Sequence, residues 1–205
     1  CTRREMAENL RNMQPVWSFR SHWCYQNTCF VAAGLLIEEL SGMTWEEFVQ
    51  ENILKPLGMD RTTFYVDAIK EDPNHATPYS RVLPTDLTGY EAIDFLKSDC
   101  EDMSKGIGAP YGPAGSIMST INDMCKWVQF NLDNGKVDGK QLVREDLMQL
   151  LVTAHIDTGD GGAYKPQRSM TSYGLGWSLY NYRGHRMAEH GGNINGFTSS
   201  TAFVP

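Results

Sequence analysis

The 205-residue sequence predicts an α+β protein, a helical subdomain followed by an antiparallel β-sheet, on three observations. Capped segments with apolar residues at helical spacing dominate residues 1–157. Short aromatic and small-residue runs separated by glycine-bearing turns fill residues 158–205. Helices and strands are grouped rather than alternating, which argues against a doubly wound βα fold. The sequence opens on Cys1 and stops at Pro205 directly after a strand-like run, so the sheet reads as incomplete at both ends.

Thr2-Arg3-Arg4-Glu5 has the form of a capping box, and Met6, Leu10 and Met13 continue it as a short amphipathic helix that Pro15 stops. Asn27 is placed to cap the next helix, which carries Phe30, Val31, Gly34, Leu35, Ile37 and Leu40 and ends at Gly42. Thr44-Trp45-Glu46-Glu47 opens a third in the same way, closed by Pro56 and Gly58. From 67 to 113, prolines and glycines interrupt every apolar run. The expectation there is a loop-rich cover or substrate-side wall, with at most a short helix near Tyr90 to Phe95. A helix then starts at Ser119 or Thr120 and carries Ile121, Met124, Cys125, Val128 and Leu132 to Gly135, and another covers 143–154. After the polar stretch Thr158 to Gly162, strands are expected at Tyr173 to Tyr180, Arg186 to His190 and Phe197 to Val204, with Asn181-Tyr182-Arg183-Gly184 turning between the first two.

Composition excludes several classes of function. With 41% hydrophobic and 21% charged residues, the chain has the make-up of a globular protein with a real core. Its longest apolar run, Phe30 to Ile37, falls far short of the roughly 20 residues of a membrane-spanning helix. A net charge of -7 with scattered Lys and Arg argues against nucleic acid as a partner. Five cysteines without a CxxC pair point to mostly reduced thiols. His185 and His190 fall on opposite faces of a regular strand, and His22, His75 and His155 have no ligand spacing, so no metal site is expected. Trp17, Phe19 and Trp23 read as core or groove packing, and Met118, Met124 and Cys125 as packing. Glu38, Glu39, Glu46 and Glu47 read as a solvated helix surface. Compartment and oligomeric state leave no mark in the sequence.

Two stretches carry chemistry. In Tyr25-Gln26-Asn27 a phenol at a helix entrance beside a cation can relay a proton, and an amide two residues on can donate to a substrate carbonyl. The same triplet also reads as a buried aromatic anchor followed by a helix cap. In His190-Gly191-Gly192-Asn193 the glycines let a ligand approach the strand, and the amide of Asn193 can help bind an oxyanion. That stretch also reads as a bulge or tight bend bearing a solvent-facing His. No serine in the chain has Lys three residues on, and Ser116 and Ser119 lack a base at motif spacing.

Taken with Ala33-Gly34-Leu35-Leu36-Ile37-Glu38, Asn52-Ile53-Leu54-Lys55-Pro56-Leu57-Gly58-Met59, Pro113-Ala114-Gly115-Ser116-Ile117-Met118-Ser119-Thr120 and Tyr173-Gly174-Leu175-Gly176-Trp177, these stretches resemble, in order and spacing, the serine β-lactamase and penicillin-binding-protein superfamily. The class C and related esterase branch is the nearest match. The resemblance implies a Ser-x-x-Lys nucleophile upstream of Cys1, with Tyr25 assisting proton transfer and Asn27 contacting the substrate amide. It places His190 where the family usually has Lys, with Gly191 and Gly192 beside the substrate and the Asn193 amide forming half of the oxyanion hole. Because His is largely neutral near pH 7 where Lys is charged, the expectation is a serine hydrolase that forms an acyl-enzyme on small ester, amide or peptide substrates. The alternatives are a β-lactamase or D-alanyl-D-alanine carboxypeptidase, or a noncatalytic ligand-binding homologue. No cofactor is implied, and the segment alone is expected to be inactive.

Overall fold

The computed structural model describes residues 2–81, 90–92, 110–159, 168–194 and 196–205. In the first turn the Thr2 hydroxyl accepts from the Glu5 amide while the Glu5 carboxylate accepts from the Thr2 amide, and α1 (Arg3–Asn9) follows, ending in a 3-10 turn at Leu10–Asn12. Helix α2 (Asn27–Ser41) stops at Gly42, whose φ of 70° is the left-handed value that favours glycine. Its start differs from expectation by one residue. Gln26 is the cap, its side-chain oxygen accepting from the Thr28 amide at 3.4 Å, and Asn27 is the first helical residue. Helix α3 (Trp45–Val49) opens on the Thr44–Glu47 capping box and runs into a π-helical turn over Gln50–Leu54.

The stretch expected to be loop-rich holds more regular structure at its edges. Helices α4 (Val66–Glu71) and α5 (Gly112–Gly115) both lack the side-chain cap that marks α1, α2 and α3. Tyr90–Ala92 forms a strand, not the helix expected there. It is β2, antiparallel to β1 (Tyr79–Arg81), and this long-range pairing outweighs local preference. Residues 93–95 lie outside the described residues. Helix α6 (Ile121–Leu132) is capped by Thr120, which accepts from the Asp123 amide at 3.3 Å. Strands β3 (Lys136–Val137) and β4 (Lys140–Gln141) flank a turn at Asp138 and Gly139, both with positive φ, and α7 (Glu145–Leu151) follows.

The main sheet is an antiparallel meander in sequential order: β5 (Ile156–Asp157), β6 (Arg168–Tyr173), β7 (Ser178–Tyr182), β8 (His185–Ile194) and β9 (Phe197–Phe203). Tyr173 to Tyr180 is therefore not one strand. Residues 174–177 turn between β6 and β7, the Gly174 amide donating to the Trp177 carbonyl at 2.8 Å and Gly176 holding a φ of 90°. The two glycines, Gly174 and Gly176, break the run that the sequence predicts as one strand.

Trp45, Val49, Leu54, Met59 and Phe64 form the core of the helical part, and Val152, Trp177, Leu179, Ala188 and Phe203 that of the sheet. Trp127 on α6 packs against both and ties the sheet to the helices. Gly34 lets α2 approach α5, since a Cβ there would stand 2.2 Å from Pro113 Cγ. The glutamates expected to be solvated are not all so. Glu46 and Arg3 are each 3% exposed and paired at 2.7 Å, and Arg3 also pairs with the partly buried Glu38. Arg3 and Glu38 belong to α1 and α2, so this network staples the two helices to α3. Cys125 is exposed rather than packed, and Trp17 and Phe19 are exposed rather than core. The thiols of Cys24, Cys29 and Cys125 are free. Among the described residues, no helix is long and apolar enough to cross a membrane, and no His, Cys, Asp or Glu cluster could hold a metal.

Candidate active site

Tyr25 sits at the end of the segment joining α1 to α2, and His190 sits on β8. The fold brings their rings to 6.0 Å between centroids. His190 shares the parity of fully buried Ala188, so its side chain leaves the sheet on the face that packs against the helices. Trp23 and Tyr173 complete an aromatic corner around the pair. Tyr25 stands edge-on to Tyr173 at 6.2 Å, and Trp23 lies 6.4 Å from Tyr25 and 6.1 Å from Tyr173. Of Trp17, Phe19 and Trp23, only Trp23 thus packs into this corner.

Asn27 and the glycine stretch occupy the flanks of this corner. Asn27 is exposed, and because Gln26 does the capping, its amide holds no hydrogen bond to any described residue. The Tyr25 hydroxyl is likewise unengaged by any described residue. Gly191 and Gly192 lie in regular pairing with Ser200 and Ser199, so neither marks a bulge. Gly192 is on the same face as His190, and a Cβ there would stand 2.6 Å from Ser199 Oγ. No hydrogen bond joins Asn27 or Asn193 to the Tyr25–His190 pair.

Strand register decides where the Asn193 amide points. Tyr182 and His185 close a hairpin over Arg183 and Gly184, both with positive φ, as in a two-residue turn whose flanking pair is hydrogen-bonded. Narrow and wide pairs alternate along an antiparallel ladder, so residues 185, 187, 189, 191 and 193 direct their amides and carbonyls toward β7. Pairing with β7 stops at Ser178 opposite Glu189. Beyond it, the backbone groups of Gly191 and Asn193 face an edge that no described strand covers. The Asn193 side chain is held aside, accepting from Thr198 Oγ at 3.2 Å.

A cavity of about 300 Å³ lies beside the far end of β8, its walls including Gly192 and Asn193 of β8, Ser199 of β9, Met118 before α6, and Arg61 and His75. Arg61 is neutralised by its ion pair with Asp72. The cavity wall begins at Gly192, two residues along β8 from His190 in the aromatic corner, or about 7 Å at 3.4 Å per residue.

The sequence reading missed Tyr173. Its hydroxyl lies 2.9 Å from His190 Nε2, and His190 Nδ1 lies 2.7 Å from the Gly191 carbonyl oxygen. Burial, and next the neighbouring Tyr25, push the Tyr173 phenol up to about 12. The available signal was its place at the head of Tyr173-Gly174-Leu175-Gly176-Trp177, which was read only as strand.

Helices packed on one side of an antiparallel meander, with a cleft at the open edge of a central strand, define a protein of the β-lactamase and penicillin-binding-protein fold. The chain belongs to the beta-lactamase family, whose model matches residues 2–205. It is 28% identical over 203 residues to the unguisins hydrolase ungD' of Aspergillus campestris, covering 98% of this chain and 34% of that protein. It is 26% identical to the beta-lactamase of Escherichia coli over 178 residues, 87% of this chain and 39% of the relative. A solved octameric penicillin-binding protein homologue from Pyrococcus abyssi superposes with a TM-score of 0.78 at 23% identity, covering all of this chain and 41% of that one. The chain therefore spans well under half the length of these relatives, which include hydrolases.

Proposed function

We propose that this chain supplies the cleft of a serine hydrolase that forms an acyl-enzyme on small ester, amide or peptide substrates. The observation that carries the reading is the approach of Tyr25 to His190 from opposite sides of the cleft, 6.0 Å between ring centroids. Tyr25 would move the proton of the nucleophile, Asn27 would contact the substrate amide, and the outward Asn193 amide would stabilise the developing oxyanion beside Gly191 and Gly192. No serine in these 205 residues is followed by Lys at the third position, so the nucleophile and its base would come from the rest of a longer protein, and these residues alone would be inactive. A His in place of the permanently charged Lys, and an Arg61 already paired with Asp72, disfavour a strongly anionic substrate.

The test is labelling of the longer protein with a fluorescent fluorophosphonate, followed by turnover of an uncharged aryl ester and of nitrocefin. Labelling that falls by about 10²- to 10⁴-fold in Tyr25→Phe is expected, as for loss of a general acid–base group. Labelling unchanged by that substitution overturns the assignment, and faster turnover of nitrocefin than of the ester favours a β-lactamase. Absence of any labelling leaves the noncatalytic binding reading.

A further inference from the structure

We propose that Tyr173 is a positioning residue that holds His190 as the neutral imidazole protonated on Nδ1, with no N–H left to offer a substrate. The inference rests on the reading of this cleft as an acyl-transfer site, which it deepens by fixing what His190 presents. A carbonyl oxygen can only accept, so the 2.7 Å contact of Nδ1 with the Gly191 carbonyl places a hydrogen on Nδ1. In the neutral ring Nε2 is then the acceptor, and the hydroxyl 2.9 Å away on Tyr173 is its donor. The rest of the surroundings agree. Tyr173 is buried to 9% exposure, and its phenol keeps its proton far above neutral pH. Its position is fixed by pairing with Ile156 on one side and Ser178 on the other.

Chemically, both ring nitrogens are spent on the protein. A protonated lysine in this place would present N–H groups and a charge to a substrate carboxylate; His190 so held presents neither. Its ring becomes an uncharged wall beside Tyr25, suited to an acyl group without a negative charge at that point.

Two-bond ¹H–¹⁵N spectra of histidine-labelled protein test this without turnover, His190 being assigned by the signals lost in His190→Gln. Above the titration of the ring, the expected pattern is a protonated Nδ1 and an unprotonated Nε2. In Tyr173→Phe the tautomer ratio should move toward Nε2–H by roughly 3- to 10-fold, the worth of one neutral hydrogen bond. An Nε2–H tautomer in the unaltered protein, or a ratio unmoved by Tyr173→Phe, overturns the proposal. Should that variant not fold, 3-fluorotyrosine in place of tyrosine strengthens the donor and keeps the ring; an Nε2 resonance that does not move is then the refuting result. Because the readout is the ring itself, a tautomer that behaves as stated in a protein that no acyl probe labels would sink the catalytic reading alone.

Discussion

Removing the carboxylate of Glu46 should be among the most damaging single changes in the helical part. Glu46 and Arg3 are each 3% exposed and meet at 2.7 Å, a separation at which an effective dielectric near 20 gives an attraction of about 6 kcal/mol before desolvation is subtracted. The pair has no room for a compensating water on the α5 side, where a Cβ on Gly112 would stand 2.8 Å from Arg3 Nη2 and 2.9 Å from Glu46 Oε1. Glu46→Ala removes a buried carboxylate partner of the Arg3 guanidinium, and losing one partner of a buried pair costs about 3–5 kcal/mol. The remaining contact to Glu38 places the expectation near the lower end, about 3 kcal/mol, or a fall in Tm of roughly 6–12 °C for a chain of this size. Urea unfolding with and without Arg3→Met measures it, because the double variant removes the stranded charge and should recover much of the loss. A cost under about 1 kcal/mol for Glu46→Ala, or a double variant no better than the single, would refute the claim that a desolvated ion pair joins these helices. The same variant should show faster proteolysis between residues 13 and 26, since the staple holds both ends of the segment that carries Tyr25.

Three further outcomes are expected. Gly34→Ala gains helix propensity but drives a methyl to 2.2 Å from Pro113 Cγ, so a net destabilisation of about 1–2 kcal/mol should appear in thermal melts. For Asp123, burial works against the charge, but hydrogen bonds from Lys126, the Arg61 amide and Thr62 outweigh it and hold the carboxyl below the usual 3.8. Its folded value lies below its unfolded one, so its stabilisation is complete above about pH 4 and disappears as pH falls through the folded value. Asp123→Asn should therefore lower stability at neutral pH and flatten the acid limb of the stability curve. Tyr173 titrates oppositely: its folded value of about 12 exceeds the usual 10, so its contribution is present below pH 10 and is lost as pH rises toward 12. Phenolate absorbance in Tyr173→Phe should accordingly show less of the late-titrating signal, to which Tyr180 also contributes.

What the sequence made legible follows what is encoded locally. Thr2, Thr44 and Thr120 announced their helices because a hydroxyl three residues before an amide it can cap is a local fact. Helix α4, which has no side-chain cap, and strand β2, which exists through pairing with β1, carried no such mark. Glu46 carries no such mark either, because nothing near it announces that Arg3, 43 residues away, will be buried against it. In the candidate site, Tyr25 and His190 could be picked out as residue types in suggestive settings. Their partner Tyr173 carried a weaker mark, its place before Gly174 and Gly176, because its part depends on how far β7 extends.

That extent is the structural point on which the cleft turns. Gly174 admits no side chain, since a Cβ there would stand 2.2 Å from the Leu151 carbonyl oxygen, and Gly176 takes a left-handed φ, so the chain reverses between Tyr173 and Ser178. The reversal delays β7 until Ser178, and β8 consequently loses its neighbour after Glu189. One turn thereby has two effects: it uncovers the Gly191 and Asn193 amides on the cleft side of β8, and it leaves Tyr173 as the last residue of β6, within hydrogen-bond reach of His190. A substitution that straightened the turn would extend β7 along β8 and cover the edge. On this reasoning Gly176→Val, which forces a β-branched residue into a φ of 90°, should cost more in acyl-probe labelling of the longer protein than in global stability, whereas a loss in stability alone would show that the turn serves only the core.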